Sequence, residues 1–139
     1  MKKLVSLIIA LGLVGISYLK VESGLSSRWL IKKTGSDWLG DGALSVTTSF
    51  NKDWLLLEVN LHFRGAVNDT VELVRDNTKG ADYDTLLKSE TLSSATNFVY
   101  VAISEGLNVF PKGDELLIRT KSTQSTTVYY TIIGCEIAP

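Results

Sequence analysis

The chain is poor in the residues that build cross-linked or reactive sites. Among its 139 residues it has one cysteine, Cys135, and one histidine, His62. A lone cysteine forms no internal disulfide, so a disulfide-built secreted scaffold is excluded. A structural zinc site takes about four Cys or His ligands, which these two residues do not supply. Cys135 lies in the apolar run 130–137, where a buried and inert thiol is expected.

The chain also lacks a net charge of either sign. Its formal net charge is −1, with 14 basic and 15 acidic residues. Proteins that bind nucleic acid usually carry a basic face, because the phosphate backbone dominates their affinity. Here the basic residues are scattered, and the pairs Lys2-Lys3 and Lys32-Lys33 are local. We therefore expect no nucleic-acid partner.

Catalytic and cofactor motifs are missing as well. The sequence has no Gly-x-Gly-x-x-Gly run and no P-loop. A Ser-His-Asp arrangement would have to use His62, and strand alternation predicts a surface or interface position for that residue. Asp76, Asp82 and Asp84 surround one loop without EF-hand spacing, which is typical of turn-forming aspartates. We expect no enzymatic activity, no cofactor and no metal.

The composition fits one packed domain, preceded by an apolar N-terminal segment. Apolar residues make up 45% of the chain and charged residues 21%, which is ordinary for a globular domain. We divide the chain into an N-terminal segment, 1–19, and a domain, 20–139. Read as a signal peptide, the segment has two lysines, an apolar stretch and a small-x-small cleavage site at 15–17.

Two other interpretations of the N-terminal segment stay open. As a membrane anchor, the uncharged run 4–19 would span about 24 Å as a helix, short of the roughly 30 Å hydrocarbon core, so a membrane partner is disfavoured. As retained strands, its β-branched residues and glycines favour β structure over helix. A retained segment is too apolar to stay exposed. It is then predicted to be buried, either as strands of its own sandwich or as an arm that contacts a partner through four apolar residues: Leu4, Leu7, Ile9 and Leu11.

Period-two alternation dominates the rest of the chain and predicts β-strands. The run 43–50 places Leu44 and Val46 on one face, and 54–63 is the strongest strand. Further strands are predicted at 70–74, 97–103, 115–119 and 126–137, with no sustained helical period. We predict an all-β fold, an antiparallel β-sandwich of about eight strands that is jelly-roll-like. One face of 54–63 is predicted to face the core through Leu55, Leu57, Val59, Leu61 and Phe63.

The three tryptophans are expected to differ in burial. Trp29 and Trp54 are expected in the core, because tryptophans of a sandwich more often lie in its core or at a sheet edge. Trp38 follows the turn-like residues Gly35-Ser36-Asp37 and is predicted to lie in a loop. Since exposed tryptophans often anchor protein or carbohydrate contacts, Trp38 is the strongest candidate for an exposed partner-binding residue.

Part of the chain resembles small β-sandwich virion proteins of tailed bacteriophages, including the jelly-roll cement (decoration) proteins of icosahedral heads. The resemblance covers roughly 54–137 and is carried by the runs 59–63, 68–73, 80–87, 98–101 and 112–116. It implies a structural protein on the capsid surface of a virion that binds the major capsid protein or other virion proteins. It also implies a homo-oligomer, as a dimer or trimer. In this pattern Tyr83 would plug one end of the sandwich, and Lys112-Gly113-Asp114 would form a tight turn. The N-terminal segment departs from the pattern.

A second hypothesis is an exported binding module of a bacterial envelope. In that case residues 1–17 would be removed as a signal, and the mature protein would begin near Tyr18 in the periplasm or at the cell surface. Trp38 would then contact a protein or a glycan.

Overall fold

The strands are built from alternating apolar and polar residues that are rich in valine, isoleucine, threonine and aromatics, which suit a half-buried sheet surface. The computed structural model describes residues 7–8, 16–23, 26–102 and 108–137, with side chains from Leu30 onward. The strands are β1 Leu7–Ile8, β2 Ile16–Ser23, β3 Ser26–Trp38, β4 Ser45–Ser49, β5 Trp54–Asp76, β6 Thr85–Val101, β7 Val109–Phe110, β8 Glu115–Thr120 and β9 Thr127–Glu136. A 3₁₀ turn, Ala81–Tyr83, precedes β6.

The strand pairs are nested one inside another. β3 pairs with β9, β4 with β8 and β5 with β6, all antiparallel. This nesting is what results when one long antiparallel hairpin is rolled up, as in a jelly roll. The predicted all-β, antiparallel, jelly-roll-like sandwich is therefore confirmed, with nine strands in the described residues instead of about eight.

One strand, β5, belongs to both layers of the sandwich. Its first half pairs with β9 and with the end of β6, whereas 71–76 pairs with β8 and 67–75 with the start of β6. The register with β6 shifts between His62 and Val67, where β5 passes from one layer to the other. The sequence predicted two strands here, at 54–63 and 70–74, but the chain continues through Arg64 and Gly65 without a turn.

We name the layers by their strands. The large layer contains β1, β2, β3, β9, the first half of β5, β7 and the end of β6. The small layer contains β4, β8, the second half of β5 and the start of β6. Their facing side chains form one hydrophobic core.

A β-bulge sets which residues of β5 face that core. Val59, Leu61 and Phe63 are buried as predicted, but the prediction that Leu55 and Leu57 face the core is wrong, because both are only half-buried. In the pairing with β9, Leu56 lies opposite Gly134 and Glu58 opposite Ile133, which leaves Leu57 as the extra residue. The extra residue reverses the alternation at that point, so Trp54 and Leu56 face the core on the N-terminal side of the bulge.

Aromatic packing closes the core around Trp54. The Trp54 ring stacks on Phe110 with centroids 4.3 Å apart and meets Phe50 edge-on at 4.9 Å. Trp54 is fully buried, which confirms its predicted core position. The side chain of Trp29, the other tryptophan predicted in the core, lies outside the described residues, although its backbone is part of β3.

Two local expectations from the resemblance have opposite outcomes. Residues Pro111 to Asp114 form the predicted tight turn, in which the Asp114 N–H donates to the Pro111 carbonyl at 3.0 Å. Gly113 takes a φ of 96°, a left-handed conformation that glycine adopts without strain. Tyr83, by contrast, does not plug the sandwich, because it is 64% exposed at the 3₁₀ turn.

The N-terminal strands extend the large layer beyond β3. β2 pairs with β3 along its length and places Leu19 opposite Leu30, and β1 places Leu7 opposite Leu19. The other predicted contact residues of this segment, Leu4, Ile9 and Leu11, lie outside the described residues. Within the described part of the chain, no helix is long and apolar enough to cross a membrane.

The bulge gives a matched pair of test substitutions. We expect Leu56→Ala to lower the free energy of unfolding by about 2–5 kcal/mol, because it opens a cavity in the core. Leu57→Ala removes the same atoms from a half-buried position and should cost about 1 kcal/mol or less. Urea unfolding of both variants measures the difference. If Leu57→Ala lowered the free energy of unfolding as much as Leu56→Ala or more, the result would contradict the assignment of a bulge at Leu57.

Candidate functional site: the outer face of the large layer

The side of the large layer that faces away from the core carries most of the exposed apolar and aromatic side chains among the described residues. Strand alternation brings every second residue of β3, β5, β6 and β9 to this surface, which we call the large-layer face. Five of the large hydrophobic side chains there are 47–58% exposed: Trp38, Val99, Val101, Val109 and Tyr129. Among the described residues of the small layer, only Leu86 belongs to the same class of exposed residues.

One end of this face is aromatic. His62 of β5 lies opposite Tyr129 of β9 in the sheet register, and their rings are 6.3 Å apart between centroids and inclined by 27°. Both residues are exposed, as predicted for His62. The His62 Nδ1 atom shares a 2.8 Å hydrogen bond with the Oδ1 atom of Asn97 on β6, which fixes the orientation of the imidazole ring.

Trp38 extends the aromatic end onto β3. It lies opposite Thr127 on β9, diagonal to Tyr129, and is 48% exposed. The sequence placed it in a loop, but it is the last residue of β3, because Gly35 and Ser36 continue the ladder with β9. Its indole lies against Gly40, where a side-chain Cβ would come within 2.3 Å of the Trp38 Nε1 atom. Trp38 is thus exposed as predicted, and its role in partner binding stays a prediction.

The other end of the face is apolar. In the sheet register, Leu30 lies opposite Cys135, Cys135 opposite Leu55, and Leu55 opposite Val109. Cys135 is buried within this row, as predicted, and Leu30 and Leu55 are half-buried. The register continues from Leu30 to Leu19 and Leu7 in the N-terminal strands, so every position of the row is apolar. We call these six positions the apolar row.

Between the two ends, β5 and β9 carry polar side chains, whereas β6 carries the exposed Val99 opposite Asn60 and Val101 opposite Glu58. Asn60 and Thr131 lie opposite each other on β5 and β9 and are half-buried. The Asn60 Nδ2 atom donates a short hydrogen bond to the Glu58 Oε1 atom. The face therefore has two regions of different chemistry, an aromatic end and an apolar row.

The small layer carries an ion-pair cluster on its outer side. Glu72 lies opposite Arg119 on β8, and its carboxylate accepts from the Arg119 Nε atom at 2.8 Å and pairs with the Lys121 Nζ atom at 3.1 Å. The Glu72 side chain is only 12% exposed, whereas its partners are 49% and 60% exposed. Hydrogen bonds from Lys121 and Arg119 lower the pKa of Glu72 below its ordinary value of 4.5.

Two further polar groups have structural roles. The buried Asp69 carboxylate accepts from the backbone N–H groups of Lys121 and Ser122 at 3.2 and 3.1 Å, so it holds the turn after β8. Lys33 of β3 donates to the Thr47 carbonyl and the Thr48 Oγ1 atom of β4 at 3.1 and 3.0 Å, which joins the two layers. Burial lowers the pKa of Lys33.

The loop around Asp76, Asp82 and Asp84 is held by turn-type hydrogen bonds. The Asp76 Oδ1 atom accepts from the Thr78 N–H at 2.7 Å, and the Asp84 N–H donates to the Ala81 carbonyl. In the described part of the chain, no group of three or more histidine, cysteine, aspartate or glutamate side chains is arranged to hold a metal ion.

No family model and no curated protein matches the chain. Solved structures that align with it include the Yersinia pseudotuberculosis-derived mitogen, at 14% identity and a TM-score of 0.40, covering 78% of this chain and 86% of the mitogen. Another is infectious bursal disease virus Gx strain, at 12% identity and a TM-score of 0.41, covering 96% of this chain and 37% of the viral chain. A third is a Clostridium thermocellum xylanase 10B with its CBM22-1 and GH10 modules and xylohexaose. There the identity is 12% and the TM-score 0.33, covering 92% of this chain and 25% of the xylanase. These TM-scores are below 0.5, and we draw no functional argument from them.

The lowered pKa of Glu72 predicts a pH-dependent contribution to stability. A carboxylate whose pKa is lower in the folded than in the unfolded state stabilises the fold above the unfolded pKa and loses this effect as the pH falls through the folded pKa. Glu72→Gln should therefore lower the melting temperature at pH 7, and this difference from the unsubstituted protein should shrink as the pH falls below about 4.5.

The matched control is Glu90→Gln. Glu90 makes only an exposed pair with Lys88, in which the Lys88 Nζ and Glu90 Oε2 atoms are 3.9 Å apart, so its removal should change the melting temperature little at either pH. Thermal melts of the three proteins at pH 7 and pH 3 measure both effects. A Glu72→Gln difference that is the same at both pH values would be inconsistent with a lowered pKa.

Proposed function

We propose that the protein is a non-enzymatic structural protein of a virion, of the cement or decoration type, which stabilises a phage head by binding the major capsid protein. The observation that carries this proposal is the apolar row, because it lies on the side of the sheet opposite the core. Apolar surface that is not covered by the domain's own core favours contact with another protein.

The chemistry of the row fits a protein partner. Its described side chains are Leu30, Cys135, Leu55 and Val109, with Ile133 half-buried beside Cys135. They offer aliphatic area without charge, which is the composition of the centre of a stable protein interface. Burying a fully exposed aliphatic side chain contributes about 1.5–3 kcal/mol. The half-buried Leu30 and Leu55 and the 47% exposed Val109 each contribute part of that amount when a partner covers them.

A decoration protein needs no reactive group. A subunit that binds the assembled shell, and does not bind separated shell proteins, stabilises the shell by mass action. The rigid sandwich supports this role, because β5 is shared by both layers and holds the large-layer face in one shape. Self-association as a dimer or trimer is part of the proposal, since virion proteins assemble with closed symmetry.

The row can be tested by one substitution. Val109→Asp places a charge at the exposed end of the apolar row, where Val109 is 47% exposed, so the fold should be kept. We expect the variant to lose binding to phage particles that lack the protein, by tenfold or more, because an unpaired charge would be buried at the contact. Co-sedimentation of purified protein with the particles measures the binding and its stoichiometry.

The matched control is Leu86→Asp. Leu86 is 56% exposed on β6 in the small layer, away from the row, and this variant should bind as the unsubstituted protein does. Absence of the unsubstituted protein from purified virions would refute the virion role. Equal binding by Val109→Asp and the unsubstituted protein would refute the assignment of the contact to the apolar row.

A further inference from the structure

The aromatic end of the large-layer face is not used by the proposed capsid contact, and its chemistry differs from that of the apolar row. Its three rings belong to three adjacent strands, in the order β5, β9 and β3, at His62, Tyr129 and Trp38. The His62 and Tyr129 rings are 6.3 Å apart between centroids, and Trp38 continues the line of rings diagonally onto β3. We call them the ring strip.

The rings of the strip are available to a ligand. Trp38 and Tyr129 are 48% and 47% exposed, and His62 is exposed as well. They are also held in place: His62 by its hydrogen bond to Asn97, Tyr129 by the His62 ring, and Trp38 by the backbone of Gly40. Rigid exposed rings give contact area at little cost in conformational entropy.

Hydrogen-bonding groups surround the strip. Ser36 lies opposite Tyr129 on one side, Asn97 lies opposite His62 on the other, and both are exposed. Tyr129, which is 47% exposed, adds a hydroxyl that can donate or accept a hydrogen bond. The strip therefore combines flat apolar ring surfaces with neutral donors and acceptors at their edges. Arg64, two residues after His62 on β5, is the charged side chain next to the strip on that strand.

A sugar chain has the complementary chemistry. One face of a pyranose ring is a flat patch of C–H groups that packs on an aromatic ring, and its hydroxyls point outward to amides and hydroxyls. A peptide suits this surface less well. At the strip the backbone groups of β9 are already paired on both sides, with β3 and β5. The strand-addition mode of peptide recognition is therefore closed at β9, the central strand of the strip.

We infer that the ring strip of His62, Tyr129 and Trp38, with Asn97 and Ser36 beside it, is a carbohydrate-binding site for a polysaccharide chain. The chain lies across β5, β9 and β3, with successive sugar rings on successive aromatic side chains. Because Arg64 lies next to the strip, both neutral polymers and polymers of uronic acids are tested.

The experiment is affinity electrophoresis of the whole protein in native gels. The gels contain hydroxyethyl cellulose, xylan, mannan, galactan, alginate or polygalacturonate, one polymer in each. We expect at least one polymer to retard the unsubstituted protein. Tyr129→Ala and Trp38→Ala should each weaken this binding about tenfold or more, as expected for central aromatic contacts. Tyr129→Phe keeps the ring and should retain most of the binding.

Tyr83→Ala is the matched control. Tyr83 is a 64% exposed tyrosine at the 3₁₀ turn, outside the large-layer face, and its removal should leave retardation unchanged. A thermal melt of each variant shows whether it is folded, and Tyr129→Ala keeps the test valid if Trp38→Ala melts early. The inference is overturned if no polymer retards the protein. It is also overturned if folded Tyr129→Ala binds as well as the unsubstituted protein, or if the strip proves to bind a protein instead of a polysaccharide.

Two variants test the carbohydrate inference and the capsid proposal separately. Val109→Asp should lose particle binding and keep polysaccharide binding, and Tyr129→Ala should do the reverse. Loss of both activities in a folded single variant would show that the two regions of the face act as one site, and would overturn the assignment of the ring strip to carbohydrate alone.

Discussion

The arrangement of the sandwich depends on β5, a 23-residue strand that takes part in both layers. Its first half holds β9 and its second half holds β8, and β6 follows it along the opposite edge. Because a strand presents its residues alternately to its two faces, the phase of β5 decides which side chains form the core and which form the large-layer face. The bulge at Leu57 sets that phase. Without the extra residue, Trp54 and Leu56 would point away from the core.

The same phase explains why the large-layer face has two regions. On the N-terminal side of the bulge, β5 presents Leu55 outward, in line with Cys135 and Leu30. On the C-terminal side it presents Asn60 and His62 outward, in line with Thr131 and Tyr129. The proposed protein contact and the proposed sugar-binding strip therefore lie on one surface without competing for the same residues. Ion pairs contribute to the other layer, where Glu72 joins Arg119 and Lys121.

The sequence predicts the fold class and part of the core, but it does not predict the site. Alternation correctly identified Val59, Leu61 and Phe63 as core residues, since hydrophobic period two is a local property. It was wrong for Leu55 and Leu57, because an apolar run shows no sign of an extra residue and the bulge exists only relative to β9. For Trp38, a Gly-Ser-Asp sequence looked like a turn, yet pairing with β9 keeps it extended. The sequence pattern around Tyr129 alternates, so an outward position could be predicted. Its position beside His62 could not, because it depends on the register between two strands that are distant in sequence.

The nested pairing also has a consequence for how the chain reaches its native state. β3 and β9 are far apart in sequence, yet each is the neighbour of the other in the large layer. Contacts between residues so far apart in sequence form slowly, because a long loop must close before they contribute. On the ribosome, the large layer stays open until β9 has emerged, whereas the β5–β6 hairpin is complete much earlier. The surface proposed to bind partners is thus completed only after β9 has been made, and chains without β9 do not present it.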